Sequence, residues 1–162
     1  MGIIYSKGTS HNPILQVVSS TTTTQSSTSS SSFHNGHSLS ITPHHADNKI
    51  IVMGTGMISM GGGSTMGGIL KVLRHGSGVT SANVSGTGDF GHAFSGATNY
   101  DMDIVPSNGF IYLDHPNTTN QVTYTQQFRT TTNTVYYNKK QYANRPGKAS
   151  FVLMEIRSTW FT

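Results

Sequence analysis

The chain has 162 residues, of which 10% are charged and none is cysteine, with a formal net charge of +4. That length suits one domain with a sizeable core, and the missing cysteine excludes both a disulfide framework and a thiolate metal site. Glu occurs once, at Glu155, while Ser, Thr, Gly and Asn abound, so strong helix formers are scarce and the class reads as all-β.

Residues 1–13 have no period and carry Ile3, Ile4 and Tyr5 near the start. Three apolar side chains there suit an arm that docks on a neighbour; folding back on the chain's own sandwich is the alternative. No apolar run is long enough for a signal peptide or a membrane span, so no membrane partner is expected. The Met-Gly start fits a loose myristoylation pattern that is common by chance.

Residues 14–18 read as a short strand. Every residue of 19–32 except Gln25 is Ser or Thr, a flexible-linker composition, but Thr tolerates extended backbone, and residues 28–33 are expected to form an edge strand. Asn35-Gly36 is a two-residue hairpin signal leading to a strand at 38–42, with Leu39 and Ile41 facing in and Pro43 ending it. Residues 49–53, apolar on both faces, read as a central strand.

Residues 54–68 are glycine-rich and surrounded by Met53, Met57, Met60 and Met66. No Gly-Lys-Ser/Thr follows, and residues 69–74 read as a strand, so no phosphate is cradled at a helix N-terminus. The GxGxxG at 86–91 lacks the flanking strand and helix of a dinucleotide site, and its Asp-Phe-Gly lacks every other kinase element. The passages 54–68 and 76–96 read as long loops or glycine-bearing strands at one end of a sandwich. The methionines fill the core or, alternatively, line a subunit contact.

Eight histidines raise the question of metal. His34 with His37, His44 beside His45 with Asp47, and the isolated His11, His75, His92 and His115 never form the i, i+2 pair that a strand site wants, so they read as surface residues and no metal or other cofactor is expected. Asp101 and Asp103 could share a strand face for acid-base work or a cation, but a third group and a cleft are missing. Without a Gly-x-Ser-x-Gly elbow either, no catalytic residue is assigned.

Pro106-Ser107-Asn108-Gly109 reads as a turn into GFIYLDHPNTTNQVTYTQQFR at 109–129, the most strongly patterned stretch. Val122, Tyr124 and Phe128 fall on one side of a strand and Thr123, Thr125, Gln127 and Arg129 on the other. Residues 110–113 are apolar on both faces, hence deeply covered, and Asp114-His115-Pro116-Asn117 is turn chemistry; together the two strands are expected to make a hairpin. A strand at 134–138, a turn at Arg145-Pro146-Gly147 and a last strand at 149–156, apolar on both faces until Glu155 and so mid-sheet, complete a sandwich domain over 14–157. Lys139, Lys140, Arg145 and Lys148 form a solvated loop or a patch meeting an acidic surface; no nucleic-acid partner is expected. The tail 158–162 carries Trp160 and Phe161. About eight or nine strands at these spacings, without a blade repeat, favour a two-sheet antiparallel, jelly-roll-like β-sandwich.

Several short motifs recur in one order: Leu15-Gln16-Val17-Val18 before the Ser/Thr tract, Leu39-Ser40-Ile41-Thr42-Pro43, Lys49-Ile50-Ile51-Val52-Met53, the LDxPxTT turn with Tyr-x-x-x-Phe-Arg after it, and Leu153-Met154-Glu155-Ile156. In that order they resemble small all-β virion proteins of tailed, often marine, bacteriophages, including capsid decoration proteins and tail-fibre tip domains. The resemblance implies a trimeric β-sandwich virion component without catalytic residues. It points to a decoration or cement protein seated on the major capsid protein as a homotrimer, with Ile3, Ile4, Tyr5, Leu15, Lys139, Lys140, Trp160 and Phe161 as assembly contacts. A fibre or spike tip that binds host-surface glycan through an exposed Tyr or Trp160 is the alternative, and a lectin-like module using Asp101 and Asp103 a third.

Overall fold

The computed structural model describes residues 13–61, 65–85, 92–97, 107–139 and 147–158. They form β1 (Ile14–Thr22), β2 (Ser26–Thr28), β3 (His34–Ile41), β4 (Lys49–Gly61), β5 (Thr65–His75), β6 (Ala82–Asn83), β7 (His92–Ala97), β8 (Ser107–Asp114), β9 (Val122–Thr132), β10 (Thr134–Tyr137) and β11 (Ala149–Ile156). All pairings are antiparallel.

The segments fall into two sheets of four rows each. In the first, β11 and β10 lie end to end along one side of β4, β1 and β2 lie end to end beyond them, and β8 borders the other side of β4. In the second, β3, β9 and β5 are followed by β6 and β7 along the free side of β5. Successive rows cross from sheet to sheet except between β5 and β7, which is the winding of a jelly-roll sandwich. The described residues hold eleven strands, more than the eight or nine expected, because end-to-end segments share rows.

The inward positions of both sheets fill the space between them. One cluster holds Ile41, Ile50, Val52, Val72, Phe110, Val122, Tyr124, Phe151 and Leu153; the other holds Ile58, Leu70, Phe128, Val135, Tyr137 and Ala149. Gln126, fully buried on β9, joins the two sheets where the clusters meet. Its Nε2 donates to the carbonyls of Thr55 (3.4 Å) and Ser150 (3.3 Å), and its Oε1 accepts the Tyr137 hydroxyl at 2.7 Å. Burial pushes the Tyr137 phenol above its usual range, which keeps it a donor.

The glycine-rich passage is strand for most of its length, because close packing there leaves no room for side chains. A Cβ on Gly54 would lie 2.5 Å from the Ser150 carbonyl oxygen and 2.7 Å from the Phe110 ring. Backbone cannot yield as a side-chain tip can, so Gly54→Ala is expected to cost about 1–3 kcal/mol through overpacking, read as a lower denaturant midpoint at an unchanged slope.

Four expectations are corrected. Residues 109–129 do not form a hairpin: β8 joins β4 in the first sheet, while β9 lies between β3 and β5 in the second. What arches the chain across is a buried anchor at Asp114, whose carboxylate accepts Arg74 Nη1 at 2.7 and 3.0 Å and the Tyr124 hydroxyl at 2.7 Å. Arg74 is itself buried, and burial first, then the Asp114 charge, raises the Tyr124 phenol out of its usual range.

Asn35-Gly36 is no hairpin turn either. Both residues lie inside β3, at a register irregularity between Asn35 and Ser38, and Gly36 is needed because a Cβ there would meet Tyr137 Cζ at 2.9 Å. Among the described residues, the positive-φ residues outside glycine are instead Asn117, Asn133 and Asn138. The edge strand foreseen at 28–33 is displaced: β1 runs on to Thr22 and β2 ends at Thr28, so the Ser/Thr tract does supply an edge, at 19–22 and 26–28. Phe33 lies beyond it, capped by Lys71 Nζ at 3.7 Å from its ring centre. Finally, Ser107, Asn108 and Gly109 belong to β8 and not to a turn.

Candidate interaction face

Each sheet turns one face outward, and the two outer faces differ in kind. On the β3/β9/β5 sheet the outward side chains satisfy one another. Ser38 bonds Thr125 (2.8 Å), Ser40 bonds Thr123 (2.9 Å), His75 Nε2 bonds Thr125 (2.9 Å), and Gln127 donates to Asn35 Oδ1 (2.7 Å). Arg129 donates to the Ser31 carbonyl at 3.1 Å. The apolar side chains on the same side of β5 are covered, Ile69 being buried and Leu73 half-buried.

The outer face of the other sheet is apolar across its whole width. Strand register places Val17, Met154, Ile51 and Leu113 in one transverse row, and Ser19, Val152, Met53 and Ile111 in the next. Alternation fixes their side, since the inward partners Val18, Leu153, Val52, Tyr112, Ile50 and Phe110 pack in the core. Ile111 is 66% exposed, Val17 53% and Leu113 52%. Met53, Ile51, Val152 and Met154 are half-buried, shielded only by their neighbours. Gly109, where a Cβ would meet nothing within 4 Å, opens a shallow groove of about 510 Å³ along Met53, Ile111 and Val152. A contiguous apolar patch spanning four strands marks an interaction surface.

Nothing caps the edge beside it among the described residues, because β8 pairs only with β4. Edge strands that stay unpaired are normally blunted by lysine, proline or a bulge. β8, SNGFIYLD, has none of these, and its one charge, Asp114, is turned inward to Arg74.

At the end of this face where β11 finishes sits a polar cluster. Glu155 is fully buried and accepts from Gln16 Nε2 (2.6 Å), His44 N (2.8 Å), His44 Nδ1 (2.7 Å) and Asn48 Nδ2 (2.6 Å). Burial raises its carboxyl, but those hydrogen bonds outweigh it and hold the group below the usual carboxylate range. The cluster ties β1, β11 and the β3–β4 connection together. Above it, Leu15, His44, His45, Asn48, Arg157 and Ser158 line a cavity of about 360 Å³.

The assembly contacts foreseen from sequence are only partly placed. Leu15 sits at the β1 irregularity between Ile14 and Gln16, half-buried beside that cavity. Lys139 lies at the opposite end of the same sheet, its Nζ 5.3 Å from the Tyr136 ring centre and its carbonyl accepting Ser59 Oγ. The two are not brought together. Ile3, Ile4, Tyr5, Lys140, Trp160 and Phe161 lie outside the described residues, as do Asp101, Asp103, His11, Arg145 and the glycine motif at 86–91.

The histidines, expected at the surface, are not all there. His37 is buried, bonds Ser20 Oγ through Nε2 at 2.7 Å and packs edge-on against Phe151, and its burial lowers its pKa. Among the described residues no group of three or more His, Cys, Asp or Glu side chains could hold a metal.

What the sequence reasoning missed is the face itself: Val17, Ile51, Met53, Ile111, Leu113, Val152 and Met154. The signal is present in strands apolar on both sides: 49–53 and 149–156 lie mid-sheet, as that pattern predicts, but 110–113, expected to be deeply covered, stand on the open edge strand β8. Comparison with known proteins adds no family: no protein-family model matches the chain, and no curated protein matches it either.

Proposed function

We propose that this protein is a non-enzymatic structural subunit of a bacteriophage virion, a homotrimeric decoration protein seated on the major capsid protein that reinforces the head. The observation that carries the reading is the apolar outer face of the β1/β11/β4/β8 sheet. A jelly roll whose one outer face is hydrogen-bonded with its apolar side chains covered, while the other presents Val17, Ile111 and Leu113 to solvent, suits being covered by protein. The ordered motifs, which resemble those of small phage virion proteins, supply the setting. The mechanism is burial of apolar area across subunit joints, which holds neighbours together without chemistry.

Mass photometry of the purified chain, followed by co-sedimentation with phage heads lacking it, tests the reading. A trimer that pellets with heads and slows their release of DNA on heating is the expected result. A trimer that ignores heads but binds host cells would move the assignment to a fibre tip, and a monomer that binds neither would overturn both.

A further inference from the structure

The apolar face and the point where the chain joins the sandwich lie on the same sheet, and their geometry says what covers the face. Pro13 offers its carbonyl to Arg157 N at 3.0 Å, so pairing along the β11 side continues one residue before β1 begins. Pro13 therefore continues the line of β1 at the rim of the sheet. Proline at 13 also disfavours a helical approach from the residue before it.

The segment MGIIYSKGTSHN precedes Pro13. Its apolar residues are Met1 and the triplet Ile3, Ile4 and Tyr5, and residues 6–12 form a polar spacer. Twelve residues span at most about 40 Å when extended, whereas four strand rows are about 14 Å across. A segment leaving in line with β1 carries the triplet tens of ångströms beyond its own face and has the length to cross the whole face of another copy. That face offers the matching chemistry, two transverse rows with Val17, Ile51, Ile111, Leu113, Val152 and Met154 and no charge among them.

We infer that Ile3, Ile4 and Tyr5 of one copy bind across the apolar outer face of a second copy, so that assembly proceeds by arm exchange. Each copy gives one arm and receives one, the head-to-tail arrangement that a closed ring requires. The inference rests on the oligomeric part of the reading above and is independent of a place on the phage head.

The chain contains no cysteine, so introduced thiols are the only ones present. The test mixes two single variants, Ile4→Cys and Leu113→Cys, oxidises them mildly and resolves the products without reductant; Val152→Cys serves as a second acceptor position. The expected product is a disulfide-linked heterodimer whose bridging peptide joins residue 4 to residue 113 or 152, with loss of self-association when residues 2–12 are deleted from an otherwise stably folded chain. Failure to link at both acceptor positions, or an intrachain bridge in the Ile4→Cys, Leu113→Cys double variant without the mixed product, would overturn the inference, as would an oligomer unaffected by the deletion. Arm exchange without head binding would sink the capsid reading alone, and head binding by a trimer without the bridge would sink this inference alone.

Discussion

Replacing Glu155 with alanine is expected to lower stability by about 3–5 kcal/mol, a fall in Tm on the order of 10 °C for a chain of this size. The side chain is fully buried and gathers four donor contacts from three residues, on β1 and the β3–β4 connection. Truncation strands those donors, and Asn48, itself buried, has no water to turn to. Glu155→Gln keeps the shape but presents an amide N–H where an acceptor is needed, so a loss of about 1.5–3 kcal/mol is expected. The pH dependence follows from the lowered carboxyl. A group whose folded-state pKa lies below its unfolded value near 4.5 stabilises fully above that value, and the contribution is lost as pH falls through the folded pKa. Urea midpoints of wild type and Glu155→Gln should therefore differ most at neutral pH and converge at acidic pH. A gap that widens on acidification would overturn this account of the cluster.

The second large effect is on association and not on folding. Ile111→Lys combined with Leu113→Lys should leave the isolated chain folded, because both residues stand outward on an edge strand and surface substitutions shift stability by about 0.5 kcal/mol each. Each removes about 1.5–3 kcal/mol of apolar burial from whatever covers the face, so together they should weaken self-association at least about 100-fold. Thr123→Lys with Gln127→Lys, on the outward side of the other sheet, is the control and should leave association intact. Sedimentation velocity over a concentration series reads both. Equal loss in the two pairs would mean that the apolar face has no special part in assembly.

Much of the fold was legible because alternation is a direct record of which side of a strand meets the core. Val122, Tyr124 and Phe128 point inward as their period-2 spacing demands, and all are fully buried. The chain's low helix propensity and its turn-rich composition gave the class. Pairing was less legible. The stretch around Asp114 looks like a hairpin turn locally, and only the buried Arg74, forty positions upstream, reveals that it bridges two sheets. Asn35-Gly36 shows the same limit: glycine is there for the Tyr137 ring lying against it, a contact no local signal carries.

The interaction face was misread for a related reason. Strands 49–53, 110–113 and 149–156 are apolar on both sides, and such a pattern is the same whether the second cover is another layer of the chain or another molecule. Glu155 was noted as the place where that pattern stops. Its role as an anchor depends on Gln16, His44 and Asn48 converging from distant parts of the sequence, which no spacing rule anticipates.

The buried Gln126 has a consequence for how this sequence settles on one alignment of its strands. β9 reads VTYTQQFRTTT, and its alternation rules out a one-residue shift but not a two-residue one, which keeps every side chain on its own face. Gln126 removes the ambiguity. Slide β9 by two residues, which keeps every side chain on its own face, and Tyr124 or Phe128 takes the place of Gln126: the Thr55 and Ser150 carbonyls lose their shared donor, and the Tyr137 hydroxyl is left in the core without an acceptor. One polar side chain thus works as a locating pin between the sheets, and it selects among registers that alternation alone leaves equivalent.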